Sequence, residues 1–174
     1  MTDERQGEGL WRALAALPCG SGVVFRHHAT PPVERRALFD QVRRIARARR
    51  LVLVLAGPPR LARGWRADGA HGRSPHRASG LIRTMPAHDP IELRAARRAG
   101  ADLAFVSPVF ATRSHPGAPA LGRVRLGLLL RAVRRHPPAA ALGGMTARRA
   151  RSLRAISVTR WAGIDAFGGP APLR

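Results

Sequence analysis

Short apolar runs, each bracketed by glycine, proline or charge, recur along the chain and alternate with longer segments whose apolar positions fall three or four residues apart. The runs predict seven strands: Gly22 to Arg26 (GVVFR), Leu51 to Leu55 (LVLVL), Asp68 to His71 (DGAH), Leu81 to Met85 (LIRTM), Asp102 to Ser107 (DLAFVS), Ala139 to Leu142 (AAAL) and Arg160 to Asp165 (RWAGID). Several are apolar throughout, as parallel strands covered on both faces require, and each is followed by a segment able to return the chain. Leu10, Leu14 and Leu17 are spaced for an amphipathic helix ahead of the first strand.

The helices carry start signals. Thr30 before Pro31 supplies a cap oxygen and a preset φ, and the segment behind it places Leu38, Val42 and Ile45 on one face. Asp89, Pro90 and Glu92 repeat the device with Glu92 at the third position of a capping box, and Gly100 ends that run. Leu126, Leu129, Leu130 and Val133 form a further stripe closed by Pro137 and Pro138, and Thr146 caps a segment carrying Ala147, Ala150 and Leu153. Strand–helix alternation of this kind predicts a parallel α/β fold, either an open doubly wound sheet or a closed (β/α)8 barrel. Seven strands preceded by a helix point to a TIM barrel lacking its first strand, through a shortened reading frame or a substituted segment.

Composition narrows the picture. A chain of 174 residues is expected to form one unit over residues 1 to 174. Its longest apolar run, Leu51 to Gly57, suits a buried strand and is too short for a bilayer. The opening MTDERQGEGL is polar and unlike a secretion signal, so a cytoplasmic protein is expected. Cys19 stands alone beside Pro18 and Gly20 and is expected to be a small turn residue. The tryptophans at 11, 65 and 161 are expected to fill packing sites.

Charge adds a functional constraint. Lys and Arg together number 31 against 10 Asp and Glu, a net charge of +21, and every one of the cations is arginine. Such a field attracts phosphorylated metabolites or polyanions. Few aromatics, no tyrosine and no zinc-finger spacing argue for a solvated basic surface over a nucleic-acid site. In either α/β fold, ligands gather where strands end. The strand ends here carry Arg26, His27 and His28; Ala56 and Gly57; His71; Thr84 to His88; Ser107 to His115; Gly143 and Gly144; and Asp165 to Gly169. Gly143 and Gly144 precede the Thr146 helix start, where bare backbone N–H groups can meet an anion, and DAFGG after the last strand could complete the cradle. Thr112 and Ser114 could donate hydroxyl hydrogen bonds to phosphate and Arg113 could add charge, with Pro116 and Gly117 setting the turn. An ordinary exposed loop accounts for that composition equally well. Histidines 27, 28, 71, 76, 88 and 115 cluster at strand ends as polar rim residues, phosphate donors or an acid–base group.

The segment GADLAFVSPVFATRSHPGAPALG (Gly100 to Gly122) resembles the thiamine phosphate synthase family and its thiazole tautomerase relatives. It is similar to their Gly-Ala-Asp strand start, Gly-Pro-Val-Phe strand end and Thr-x-Thr-Lys-Pro-Gly loop. ALGGMT (Ala141 to Thr146) is similar to the family's phosphate-binding Gly-Gly turn, ADGAHG (Ala67 to Gly72) to its Ala-Asp-Gly-Val-His strand, VFRHH (Val24 to His28) to its Gln-Leu-Arg-Glu-Lys strand end, and MTDER to the tail of its first strand.

The resemblance implies a (β/α)8 barrel that joins an aminopyrimidine pyrophosphate to a thiazole phosphate and releases pyrophosphate with Mg2+. By position it implies Arg26 for the pyrophosphate, Thr112 and Ser114 for the two loop threonines, and Gly143 with Gly144 for thiazole phosphate. His28 and His115 stand where the family's lysines neutralise pyrophosphate, so with Arg26 they are the implied catalytic group. The sequence departs from the family at the metal. Ala56 and Gly57 replace an Asn-Asp pair, a second aspartate is replaced near His76, Val24 replaces a glutamine, and the serine position falls at about Pro86, so no metal ligand is assigned. A non-synthase relative, tautomerase-like or ligand-binding only, and a basic nucleic-acid-binding protein are the alternatives. The expected partners are small phosphorylated substrates, with a homodimer formed through an uncovered barrel edge.

Overall fold

The computed structural model describes residues 1–76, 78–112, 117, 119–164 and 166–167. Seven strands are present among them: β1 (Gly22–Phe25), β2 (Val52–Ala56), β3 (Gly69–His71), β4 (Ile82–Ala87), β5 (Leu103–Val106), β6 (Ala139–Ala141) and β7 (Arg160–Trp161). Their order in the sheet is their order in the chain. This is the strand order of a β/α barrel with one strand fewer than eight. The helices are α1 (Gly9–Ala16), α2 (Pro32–Ala48), α3 (Pro59–Gly64), α4 (Pro90–Arg98), α5 (Gly122–Ala132) and α6 (Ala147–Leu153). None is long and apolar enough to cross a membrane.

The chain divides into two compact units. The first holds Met1–His71, Ala78–Leu81 and the described residues from Ile164 onward; the second holds Ile82–Gly163 and the described residues of 72–77. In the first, β1 pairs β2 and β2 pairs β3, all parallel. In the second, β4 pairs β5, β5 pairs β6 and β6 pairs β7, again parallel.

A device used once in each unit sets register at the strand starts. Asp68 donates its N–H to Leu53 O at 2.8 Å while its carboxylate accepts Leu53 N–H at 2.7 Å. Asp102 does the same with Arg83, at 2.8 and 2.7 Å. Each Ala-Asp pair thus clamps the incoming strand to its predecessor, with the carboxylate consumed as a backbone acceptor.

All seven expected strands are found, with ends shifted by up to two residues except at β7, where the described strand stops at Trp161. The capping expectations divide. Asp89 accepts Glu92 N–H at 2.8 Å, but Glu92 reaches His88 N–H at 2.8 Å, so the box closes one residue early. Thr146 accepts Arg149 N–H at 3.2 Å as expected. Thr30 does not cap α2: Pro31 occupies the cap position and Pro32 begins the helix. Two prolines preset φ and remove donors that would otherwise need a cap. The 72–81 connection, expected to return the chain like the others, has no helix among its described residues. Ser74, Pro75, Ser79 and Gly80 favour turns there, and the buried Arg83 side chain ties the connection down through Ser74 O and, at 2.8 Å, Ala99 O.

Each unit has its own core. In the first, α2 buries Phe39, Val42 and Ala46, while Leu38 and Ile45 of the expected stripe are only partly covered. Phe39 meets Phe25 edge-on at 5.4 Å and lies 5.1 Å from the Trp65 ring. In the second, Leu93, Leu126, Leu129, Val133 and Leu153 close over β4 to β6. Trp11 and Trp65 pack on the first core and Trp161 on the second, which fits their expected packing roles.

Because Phe39 is fully buried among aromatic neighbours, Phe39→Ala is expected to cost about 3–5 kcal/mol. A urea titration followed by tryptophan fluorescence checks this, and a loss below about 1 kcal/mol would contradict the packing described.

Candidate functional site

In the second unit, the chain leaving β5 continues beside the chain leaving β6. Leu142 N–H donates to Val106 O at 2.9 Å, Val109 N–H to Leu142 O at 2.8 Å and Phe110 N–H to Gly143 O at 3.1 Å. The ladder brings the backbones into direct contact. A Cβ on Gly143 would stand 2.8 Å from Pro108 Cα, and one on Gly144 would overlap Ala111 O. Both residues also have positive φ, 95° and 58°. Glycine is therefore required twice, by conformation and by space.

This turn points at chemistry suited to an anion. Neither Gly143 N–H nor Gly144 N–H has a protein acceptor among the described residues, and successive N–H groups at such a turn form an anion-binding concavity. Arg149 lies beside it: its Nη1 donates to Gly144 O, and its guanidinium carbon sits 4.9 Å from the Phe110 ring centroid. Thr112 follows two residues after Phe110, so the structure brings the Thr112 segment and the glycine turn together. His88 and Ser107, at the ends of β4 and β5, also meet. His88 Nδ1 lies 2.6 Å from Ser107 O, with Ser107 Oγ at 3.4 Å. A carbonyl only accepts, so Nδ1 carries the proton and Nε2 is the basic nitrogen of the neutral ring.

In the first unit, Arg26, His27 and His28 follow β1. Thr2 Oγ1 accepts Arg26 N–H at 3.0 Å and lies 2.9 Å from His27 Nδ1. His27 is buried, adopts φ 44° and stacks on Phe25 at 4.8 Å. Burial holds its pKa below the usual imidazole value, with Arg35 and Arg26 adding to the effect against Glu4 and Asp3. His28 is surface-exposed yet also lowered, by desolvation first and then by Arg35 and Arg26. Neither is thus a strong cation at neutral pH. The Arg26 guanidinium stands 3.8 Å from Asp3. Arg35 braces the strand ends, donating to Arg26 O at 3.0 and 2.8 Å and to Ala56 O at 2.8 Å.

Ser114, His115 and Asp165 lie outside the described residues. The sequence reading missed Arg149 and Arg35. Arg149 had one available signal, its place three residues after the Thr146 cap, which turns it back toward the glycines. Arg35 was one of many arginines in a helix, with nothing to single it out.

A magnesium site needs several hard oxygen donors, and the described residues do not fit one. No three His, Cys, Asp or Glu side chains among them are grouped to hold a metal. Asp3 is held by Arg5, and its pKa is lowered: the raising effect of burial is outweighed by the Arg5 hydrogen bonds and by Arg5 and Arg26 charge. Glu4 accepts Ala29 N–H at 2.8 Å and Glu92 pairs with Arg73 at 2.7 Å.

The family model described as thiamine monophosphate synthase matches residues 2–167. The chain belongs to the thiamine monophosphate synthase family. Among solved structures it is similar to the thiamine phosphate pyrophosphorylase from Pyrococcus furiosus, at 23% identity and a TM-score of 0.78 over 97% of this chain and 85% of that one. It is also similar to the thiamine phosphate pyrophosphorylase from Bacteroides thetaiotaomicron, at 16% identity and a TM-score of 0.61 over 94% and 79% of the two chains. At these identities the structural likeness carries the fold. No curated protein matches the sequence.

Two outcomes follow for this family member. His27 binds a proton more readily unfolded than folded, so stability falls as pH drops below about 6.5; His28 has the same sign. Asparagine tolerates positive φ and does not titrate, so His27→Asn should lose less urea-midpoint stability than wild type between pH 7.5 and pH 5.5, and an equal loss would contradict it. Gly144→Ala should destabilise by more than about 1 kcal/mol, read by the same unfolding titration at pH 7.5.

Proposed function

We propose that the chain is a thiamine phosphate synthase-type transferase that couples an aminopyrimidine pyrophosphate to a thiazole phosphate. The pyrimidine methylene–oxygen bond breaks and its electron pair leaves with pyrophosphate; the thiazole nitrogen supplies the pair for the new carbon–nitrogen bond. The observation supporting this reading most directly is the Gly143–Gly144 turn, whose two N–H groups have no acceptor among the described residues, beside the Arg149 guanidinium. It has the donors and charge that the phosphate of a thiazole phosphate requires. Membership of the thiamine monophosphate synthase family supports this choice of reaction class. In this reading Thr112 adds a hydroxyl to the phosphate, and Arg26 is the cation offered to pyrophosphate. His28 has a lowered pKa and contributes hydrogen bonding rather than a standing charge.

A second reading is favoured by a separate observation. Ala56 and Gly57 offer no carboxylate, and the described acidic groups do not gather as metal ligands. A relative that binds thiazole phosphate without coupling it, or that moves a proton on it through a base such as His88, needs no such ligands.

The test is to incubate the purified chain with both precursors, with and without Mg2+, and follow thiamine phosphate by mass spectrometry while calorimetry measures thiazole phosphate binding. Product above the protein-free control is the expected result, with Arg149→Gln weakening thiazole phosphate binding about tenfold. Binding without product would transfer the function to the second reading, and absence of both would remove the two together.

A further inference from the structure

At the opposite edge of the second unit's strands, where β6 and β7 begin, lies a cavity of about 540 Å3. Gly143 stands beyond the far end of β6, roughly 13 Å of extended chain from Ala139 at the cavity, so this cavity is separate from the glycine turn. Its volume falls within the range of small-molecule sites. Its polar wall is formed by Arg131, His136, Ser157, Thr159 and Arg160, and its apolar wall by Leu130, Ile156 and Val158.

The polar wall is unbalanced in charge. None of the described lining residues is acidic, and neither Arg131 nor Arg160 is in an ion pair among the described residues. His136 Nδ1 lies 2.6 Å from Pro137 O, so that nitrogen carries the proton and Nε2 is left for another partner. Two arginines and two hydroxyl residues, all exposed, line the cavity with no carboxylate among its described lining residues, and together they supply donor types suited to phosphate.

A glycine helps keep the space open. Gly127 lies inside α5, where glycine costs about 0.5–1 kcal/mol relative to alanine, and it is absent from the positive-φ residues. A Cβ there would touch Ile156 at an ordinary 3.6 Å. Neither conformation nor close contact therefore demands glycine, whereas a longer side chain would start from a Cβ against Ile156, which lines the same cavity as Gly127.

We propose that this cavity is a second binding site, for a small organic phosphate: the phosphate on the Arg131–Arg160 wall and a compact apolar body against Leu130, Ile156 and Val158. It does not depend on the coupling reaction proposed above.

Phenyl phosphate is the probe, titrated into the full chain at about 0.15 M salt, where long-range attraction to the basic surface is screened. Calorimetry and amide NMR shifts are the readouts. The expected result is saturable binding with shifts concentrated at Gly127, Ser157 and Thr159. Arg131→Gln with Arg160→Gln should weaken it about tenfold. Gly127→Leu should abolish it at unchanged net charge, while Arg12→Gln with Arg47→Gln should leave it unaltered. Shifts centred on Gly143 and Gly144, or spread over the surface, would overturn the proposal. So would wild-type binding by the Gly127→Leu protein, equal weakening by the two double variants, or equal affinity for phenol or inorganic phosphate.

Discussion

Two main-chain segments of the second unit run so close together, after β5 and after β6, that no side chain fits between them. Three backbone hydrogen bonds hold them together, and glycine at 143 and 144 permits the approach. Other features of the glycine site follow from that contact. It leaves the two N–H groups without an acceptor among the described residues, sets Phe110 under the Arg149 guanidinium, and brings the Thr112 segment alongside. Because the donors belong to the backbone and are held by the fold, they need little rearrangement to meet a charge.

The electrostatics complement this geometry. With 31 arginines and 10 acids the protein is rich in positive charge and poor in carboxylates. Several of those carboxylates have structural work. Asp68 and Asp102 clamp strand starts, Asp89 caps α4, Asp40 pairs with Arg36 and Arg43, and Glu92 joins Arg73 to the backbone of His88. Asp68 and Asp102 act at the edge of the sheet away from the strand ends. Positive charge is thus plentiful, while among the described residues no group of carboxylates is gathered to hold a hard cation.

Much of this was legible in the sequence. Strands buried on both faces leave apolar runs such as LVLVL and DLAFVS, and these located β2 and β5. Asp89 and Thr146 announced their helices because capping is local chemistry. The glycine pair was visible as a turn, but its contact with Pro108 and Ala111 joins segments more than 30 residues apart, and no local pattern encodes that. Thr30 misled because the adjacent prolines already did the work of a cap. Arg35 was hidden by abundance, one arginine among 31 with nothing local to single it out, and the one local signal at Arg149, its spacing from the Thr146 cap, does not reveal the contact with Gly144 and Phe110.

The Arg35 clamp has a bearing on how such a protein can change. Its acceptors at the ends of β1 and β2 are main-chain carbonyls, those of Arg26 and Ala56. Every amino acid supplies a carbonyl, so the anchorage survives whatever side chain occupies position 56. Mechanical integrity at that rim is thereby uncoupled from the side chain at position 56, which can change over generations without loosening this anchorage.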